Sequence, residues 1–555
     1  MSKSLSSKAL RPASGDADVV IVGAGLAGLF TALKLAPMPV TVVAAAPIGA
    51  GASSAWAQGG IAAAVGEGDT PEAHARDTIA AGAGLVDPDI ARLVTREAAE
   101  RVEDLLRYGV PFDKDLEGKL ALSREAAHTA RRVVRVKGDQ AGASIMAALI
   151  AAVRSTPSIR VLENVEAHEL VRSDNGVTGV RITSSGTNRS SHRKRAINAG
   201  AVVLTTGGIG HLYAVTTNPP QARGDGLAMA ARAGAVIADA EFIQFHPTAV
   251  KADLDPAPLA SEALRGEGAV LVNARGERFM QQVHEAGELG PRDVVARAVH
   301  REIVAGRGAF LDCREAIGDR FADFFPTVFA KCTHAGIDPR TQPIPIAPVA
   351  HYHMGGILTD SRGRTTVDNL WACGEVASTG LHGANRLASN SLIEAVVFAA
   401  RIADDISGLM HVRRRAATPL PDWTLTGKAN GKTSRLEQRA AISELRESMA
   451  LNIGVVRTAE GMKSTLETIA RLEAKAAPRS ALANMLLTAK IITVAAIERE
   501  ESRGAHFRAE FPNAHGHLAK RNFLTHKLAD ELAQSYLSGE RKQAGASSNI
   551  AVLTP

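Results

Sequence analysis

Cysteine is scarce. Cys313, Cys332 and Cys373 are the only three in 555 residues. They are odd in number, far apart and form no CxxC pair, which excludes a disulfide framework and a cysteine-based zinc site and makes a reducing cytoplasm the expected setting. Aromatic residues are also few, at 4%. The short basic runs "SSHRKR" and "HVRRR" are not interleaved with Phe, Tyr or Trp, so a nucleic-acid surface is not expected despite the net charge of +6. No apolar run reaches the roughly 18 residues that would span a bilayer, so no membrane partner is expected. A small anionic substrate is the better use of the excess cations, and no metal is expected.

What is present is glycine, 50 residues of it, and 45% hydrophobic content. A chain this long and apolar can bury more than one core. From Asp18 the order is strand "DVVIV", turn "GAGLAG", helix "LFTALKLA" and strand "PVTVVAA", the βαβ opening of a parallel sheet. A helix follows from Pro88, with Asp87 as its N-cap, apolar residues at helical spacing and Gly109 just past its end. "SDNG" marks a hairpin at Asn175 and Gly176, "AVVLTTGG" a buried strand, and the sheet pattern resumes at "NLWACGEV" after a stretch richer in Pro and Gly. An α/β domain interrupted by a long insertion fits this order. Beyond "TPLPDWTLTGKANGKTS", which reads as a linker, the pattern is helical and charged.

In "GAGLAG", Gly23, Gly25 and Gly28 stand between a strand and a helix. There a tight turn lets backbone N–H groups at the helix start receive a pyrophosphate. The acid that usually grips a ribose at the end of the next strand is missing from "VVAAAP", which weakens a nicotinamide reading. Glu375 follows an apolar strand ending at Gly374, where α/β folds bind ligands. His246, Arg265, Arg292, His351 and Arg386 lie in segments of small residues. Arginine forks match carboxylates and two of them suit a dicarboxylic acid, although Arg265 is equally explained by pairing with Glu262 or Glu267. In "SREAAHTARR", Glu125 stands among three arginines and a histidine, either as a surface counter-charge or as an anion that meets a ligand.

"GASSAWAQGGIAAA", "EFIQFHPTAV", "SEALRGEGAVLVN", "PRDVVARAV", "HYHMGGI", "GEVASTGLHGANRLASNSL" and "ESRGAHFRAEFP" occur in the order found in the succinate dehydrogenase and fumarate reductase flavoprotein family, which the chain resembles over nearly its whole length. The resemblance is strongest to the branch that oxidises L-aspartate. It implies an α/β fold: a Rossmann-like FAD-binding domain over 17–244 and 355–415, an inserted α+β capping domain over 245–354, and a C-terminal helical domain over 435–540. A tail over 1–16 and a linker over 416–434 complete the division.

The same resemblance implies noncovalent FAD. Gly23, Ala24, Gly25, Leu26, Ala27 and Gly28 would meet the pyrophosphate. Ser53, Ser54, Ala55, Trp56, Ala57, Gln58, Gly59 and Gly60 would wrap the flavin, with Ser53 where membrane-complex members carry the flavin-linking histidine. Asp225 and Glu375 would hold the ribose or ribityl region, and Ser391 and Leu392 would approach the ring. Gln244, His246, Ser261, Glu262, His351 and Arg386 would form the dicarboxylate site, Arg292 would donate or accept a proton, and Glu125 would face the substrate's amino group. Relatives in that branch read Arg, Glu, Gly, Gly, His around this carboxylate, whereas this chain has Ala126 and Ala127.

The implied reaction takes a hydride from Cα of L-aspartate to the flavin and leaves iminoaspartate, with oxygen or fumarate as electron acceptor. Its product would feed quinolinate synthase in NAD formation. A soluble fumarate reductase or succinate dehydrogenase flavoprotein subunit is the other reading.

Overall fold

The computed structural model describes residues 16–184, 194–252, 254–413 and 435–540. The expected linker lies outside these residues, as does the N-terminal tail except for Asp16, which opens the first strand.

The βαβ reading holds. Asp16–Val22 and Val40–Val43 pair in parallel around the helix Leu26–Leu35. The sheet they begin has seven strands. Ile159–Leu162, Val40–Val43, Asp16–Val22 and Lys194–Leu204 run parallel, Leu370–Ala372 adds to Lys194–Leu204, and the hairpin Val165–Ser173/Gly176–Ser184 closes the other side antiparallel. Its central strands are buried on both faces, so they read as continuous apolar runs and not as alternating ones. The helix Pro88–Arg107 starts where Asp87 accepts from the N–H groups of Asp89 and Ile90, and it ends before Gly109, which is in the left-handed region.

The insertion forms a four-stranded antiparallel sheet, ordered Ile243–Val250, Ile344–His353, Phe310–Asp312, Val270–Val272. It surrounds a core of its own that includes Leu264, Leu271, Val299, Leu311 and Phe321. A small sheet of Ile61–Ala62, Val133–Val134 and Leu122–Ser123 joins the segment after "AQGG" to the one carrying Glu125.

The sequence pattern separates the C-terminal helices as a domain, but their packing does not. Leu445, Met449, Leu466, Leu486 and Ile492 belong to one continuous apolar cluster with Val20, Val180 and Val202 of the large sheet. Among the described residues one helix, Ala481–Glu498, is long and apolar enough to cross a membrane, and most of it is buried inside the fold. Its apolar character is explained by burial on nearly every side.

Candidate functional site

A cavity of about 760 Å³ opens where the insertion meets the carboxyl ends of the parallel strands. One end is bounded by Gly23 to Ala27, Ala44 to Ala46, Thr205, Thr206 and Asp225. The other is bounded by Glu125, His246, Ser261, Glu262, Arg292, His351 and Arg386, and Ser53 to Gly60, Glu375, Ser391 and Leu392 also line it.

At the first end the glycines act through space. Gly23 has φ +118°, and a Cβ there would overlap the Thr205 carbonyl oxygen; a Cβ on Gly28 would overlap the carbonyl of Gly23. Gly28 therefore packs the helix onto the turn and does not line the cavity, unlike the other residues expected on the pyrophosphate. The helix Leu26–Leu35 carries no side-chain cap, and the Leu26 N–H donates to Ser54 Oγ at 3.2 Å. No acid follows the second strand. Glu166 comes in beside it instead, since the Val165 N–H donates to the Ala44 carbonyl at 2.9 Å.

Asp225 is held by two partners that sequence reasoning did not foresee. Arg223 Nε donates to it at 2.6 Å, and Asn484 Nδ2, from the C-terminal helix, donates at 2.6 Å. Glu375 accepts from the His353 N–H at 3.0 Å, and burial pushes its carboxyl up to about 7. Both amide atoms of Gln58, Thr206 Oγ1 and Gln221 Oε1 are buried on the cavity wall without a partner among the described residues. Buried polar atoms are nearly always hydrogen-bonded, so this wall fits an elongated ligand rich in donors and acceptors, as a flavin dinucleotide is.

The second end is a cluster of ionisable groups. Arg292 Nε donates to Glu262 at 2.5 Å and its Nη1 to Gln244 at 3.0 Å. Burial alone would raise the Glu262 carboxyl, but Arg292 and then Arg265 hold it below the ordinary range. The Arg386 guanidinium lies 4.7 Å over the Tyr352 ring. Burial, then repulsion from Arg292, lowers it to about 10, so it stays charged at neutral pH.

His246 and His351 stand with ring centroids 5.1 Å apart. Burial, then Arg292, drives both well below their ordinary value, so both are neutral. His246 Nδ1 accepts from the Thr248 N–H at 3.3 Å, which leaves Nε2 to carry the proton. His351 Nδ1 pairs with Thr217 Oγ1 at 2.8 Å. Ser261 Oγ is buried and has no partner among the described residues.

One expectation is corrected. Gln244 is fully buried behind the cavity: it accepts from Arg292 and donates to Asn385 at 3.0 Å and to the Arg386 carbonyl at 2.9 Å. A register irregularity between Gln244 and Phe245 breaks the alternation that would have put Gln244 on the same face as His246. Of the two readings of Arg265, the structure has the pairing one: it lies off the cavity, with Nη1 on the Glu288 carbonyl and Nη2 3.7 Å from Glu262.

Glu125 is no surface counter-charge. It is 7% exposed, lines the cavity, and accepts from Ser389 Oγ at 2.9 Å. Burial and then the Glu262 charge raise its carboxyl, while Arg292, the Ser389 bond and Arg386 oppose the rise. Ala127 sits at φ +64°, the left-handed region that costs a side chain about 1 kcal/mol and that glycine enters freely. A glycine at position 127 would make this turn without that cost.

A model of the FAD binding domain matches residues 18–392, and one of the fumarate reductase flavoprotein C-terminal region matches residues 478–542. The L-aspartate oxidase of Caulobacter vibrioides is 51% identical over 515 residues, covering 91% of this chain and 95% of its own length. That of Mesorhizobium japonicum is 46% identical, covering 89% and 91%.

The chain belongs to the L-aspartate oxidase family.

Among solved structures, an E. coli quinol fumarate reductase aligns with a TM-score of 0.80 at 28% identity, over 90% of this chain and 92% of the other. The fold is therefore that of the wider flavoprotein family, and FAD is its cofactor. Against the aspartate oxidase pattern, the residues that sequence reasoning missed are those that orient the foreseen ones: Thr217, Thr248, Tyr352, Ser389 and Asn484. Thr248, Tyr352 and Ser389 lay inside quoted motifs beside foreseen residues, whereas Thr217 and Asn484 carry no local signal.

Proposed function

We infer that the protein oxidises L-aspartate to iminoaspartate with FAD, and passes the electrons to oxygen, giving hydrogen peroxide, or to fumarate. The reaction is the first step of NAD formation by the quinolinate route, and quinolinate synthase is the enzyme to which its product would pass in the cytoplasm. Noncovalent FAD is supported by Ser53 in the flavin loop, since a serine hydroxyl offers no nucleophile like the imidazole that makes such a bond.

When bound, FAD supplies the two-electron acceptor for the substrate's Cα–H. The chain's residues do the rest. Arg386, Ser261 and the N–H groups of neutral His246 and His351 suit the two carboxylates, with bidentate pairing where the fork allows it. Glu262 accepts from Arg292 and lies within ion-pair reach of Arg265, so a proton can be held along that line, and Arg292 is its end at the cavity. An arginine yields a proton reluctantly, and the Glu262 carboxylate holds its fork in place at the cavity. Glu125 supplies an anion for the substrate's ammonium, whose desolvation among cations would otherwise go uncompensated.

The observation that carries this reading is the buried Glu125 carboxylate on a cavity wall where the neighbouring carboxylate, Glu262, is already taken by Arg292. Its test is anaerobic mixing of holoenzyme with L-aspartate or with succinate while flavin absorbance is followed. Bleaching by L-aspartate is expected, and bleaching by succinate alone would overturn the assignment. Acid precipitation should release the yellow cofactor into the supernatant; a yellow pellet would mean a covalent bond.

A further inference from the structure

Glu125 needs a fixed position and a charge to meet an ammonium group, and burial works against the charge. Its surroundings come from four directions. Glu262 repels it from the insertion; Arg292, at the start of the helix Arg292–Val304, and Arg386 attract it; Ser389 donates to its Oε2 at 2.9 Å. On the remaining side Oε1 rests against Gly59 of the flavin loop, where a Cβ would come within 2.7 Å of it. Of these neighbours only Ser389 makes a hydrogen bond to the carboxylate.

The place of Ser389 in the chain is unusual. It precedes the helix Asn390–Arg413, where a serine ordinarily adopts extended backbone and uses its oxygen to cap the first turn. Here φ is +62°, and the hydroxyl faces Glu125. Two further bonds hold the geometry. His128 Nε2, neutral because burial lowers its pKa, bonds the Ala388 carbonyl at 2.9 Å, and the Ala62 N–H donates to the Ser389 carbonyl at 3.4 Å. The Glu125 loop and the 386–392 segment are thereby pinned together at neighbouring residues. That segment also carries Arg386, Ser391 and Leu392, all on the cavity.

We propose that Ser389 is a specificity-determining positioning residue: its hydroxyl holds the Glu125 carboxylate in the charged state and place that receive the ammonium group of an amino dicarboxylate, as against a dicarboxylate that lacks one. The inference rests on the role given to Glu125 above. A hydrogen bond to a charged acceptor is worth more than one between neutral groups, and here it acts on the ionised form alone. Losing it makes Glu125 harder to ionise. Aspartate oxidation then needs a higher pH, while fumarate, with no ammonium, makes no demand on that charge.

Two variants separate the hydroxyl from the backbone. Ser389→Ala loses the donor and keeps a side chain at a left-handed residue; Ser389→Gly loses the donor and relaxes the backbone. For both, the acid limb of kcat/KM for L-aspartate is expected to move up by about one pH unit, with a roughly tenfold loss near neutral pH that exceeds the loss in fumarate reduction at least fivefold. A merely structural serine predicts that Ser389→Gly behaves as wild type and that Ser389→Ala harms both reactions alike; either result would overturn the proposal.

In a Glu125→Gln background, Ser389→Gly should no longer change the ratio of the two activities; a further change would count against the proposal. If Glu125→Gln itself lowers both activities equally, the reading of Glu125 is what fails. If Glu125→Gln discriminates and Ser389→Gly does not, the failure belongs to Ser389.

Discussion

At the end of the cavity bounded by Gly23 to Ala27 and Ala44 to Ala46, the wall is backbone and methyl groups. At the other end Glu125, His246, Glu262, Arg292, His351 and Arg386 place six ionisable side chains around one space. The first end selects by shape: Gly23 has no room for an added carbon, and the Asp225 carboxylate is already paired with Arg223. The second selects by charge balance, because the ionisation of Glu125, His246, Glu262, His351 and Arg386 depends on their neighbours. A steric change should therefore act all-or-none at the first end, and a charge change should act by reaction at the second.

The largest effect is expected at the first end. Gly23→Ala puts a Cβ into the Thr205 carbonyl at φ +118°, and the protein should purify without flavin absorbance, with FAD binding weakened by more than roughly a hundredfold. Flavin retained at normal stoichiometry would break the steric account. Next is Arg292→Leu, which strips the near partner from buried Glu262 and should cost roughly a thousandfold in steady-state turnover of both aspartate and fumarate. A loss confined to one of them would mean that Arg292 does not serve both.

Glu125→Gln comes third. It should lower kcat/KM for L-aspartate roughly ten- to a hundredfold and fumarate reduction far less. The smallest effect sharpens the boundary between the two ends. Glu375 is raised to about 7 by burial, and its ionised form accepts from hydroxyl donors better than its protonated form. FAD affinity should therefore rise a few-fold from about pH 6 to about pH 8, and Glu375→Gln should flatten that slope when binding is followed by flavin fluorescence. A flat wild-type profile would mean that the carboxylate does not meet the cofactor.

How far the sequence could be read follows the same division. "GAGLAG", "SDNG" and the helix from Pro88 were legible because the local chain determines them: a glycine where a Cβ has no room, a turn pair, a capping aspartate. The ordered motifs placed His246, Glu262, Arg292, His351 and Arg386 on one cavity. What escaped was what depends on distant neighbours. Gln244 reads as a cavity residue by alternation, and an irregular register puts it behind Arg292. Burial of Glu125 in a run of cations could not be seen without the small sheet that carries it inward. Thr217 orients a histidine 134 residues away, and Asn484 reaches Asp225 across 259. Those separations also explain why the C-terminal helices look independent in sequence while sharing the core of the large sheet.

The bond from Asn484 to Asp225 bears on the order in which the molecule is made. Asn484 follows Asp225 by 259 residues and sits on the helix Ala481–Glu498, which packs against the other C-terminal helices and against the helix Asp225–Arg232. The cofactor wall has its full set of contacts only once that helix has been made and packed. A chain cut short before that helix would carry the fingerprint for the nucleotide without the amide that holds Asp225.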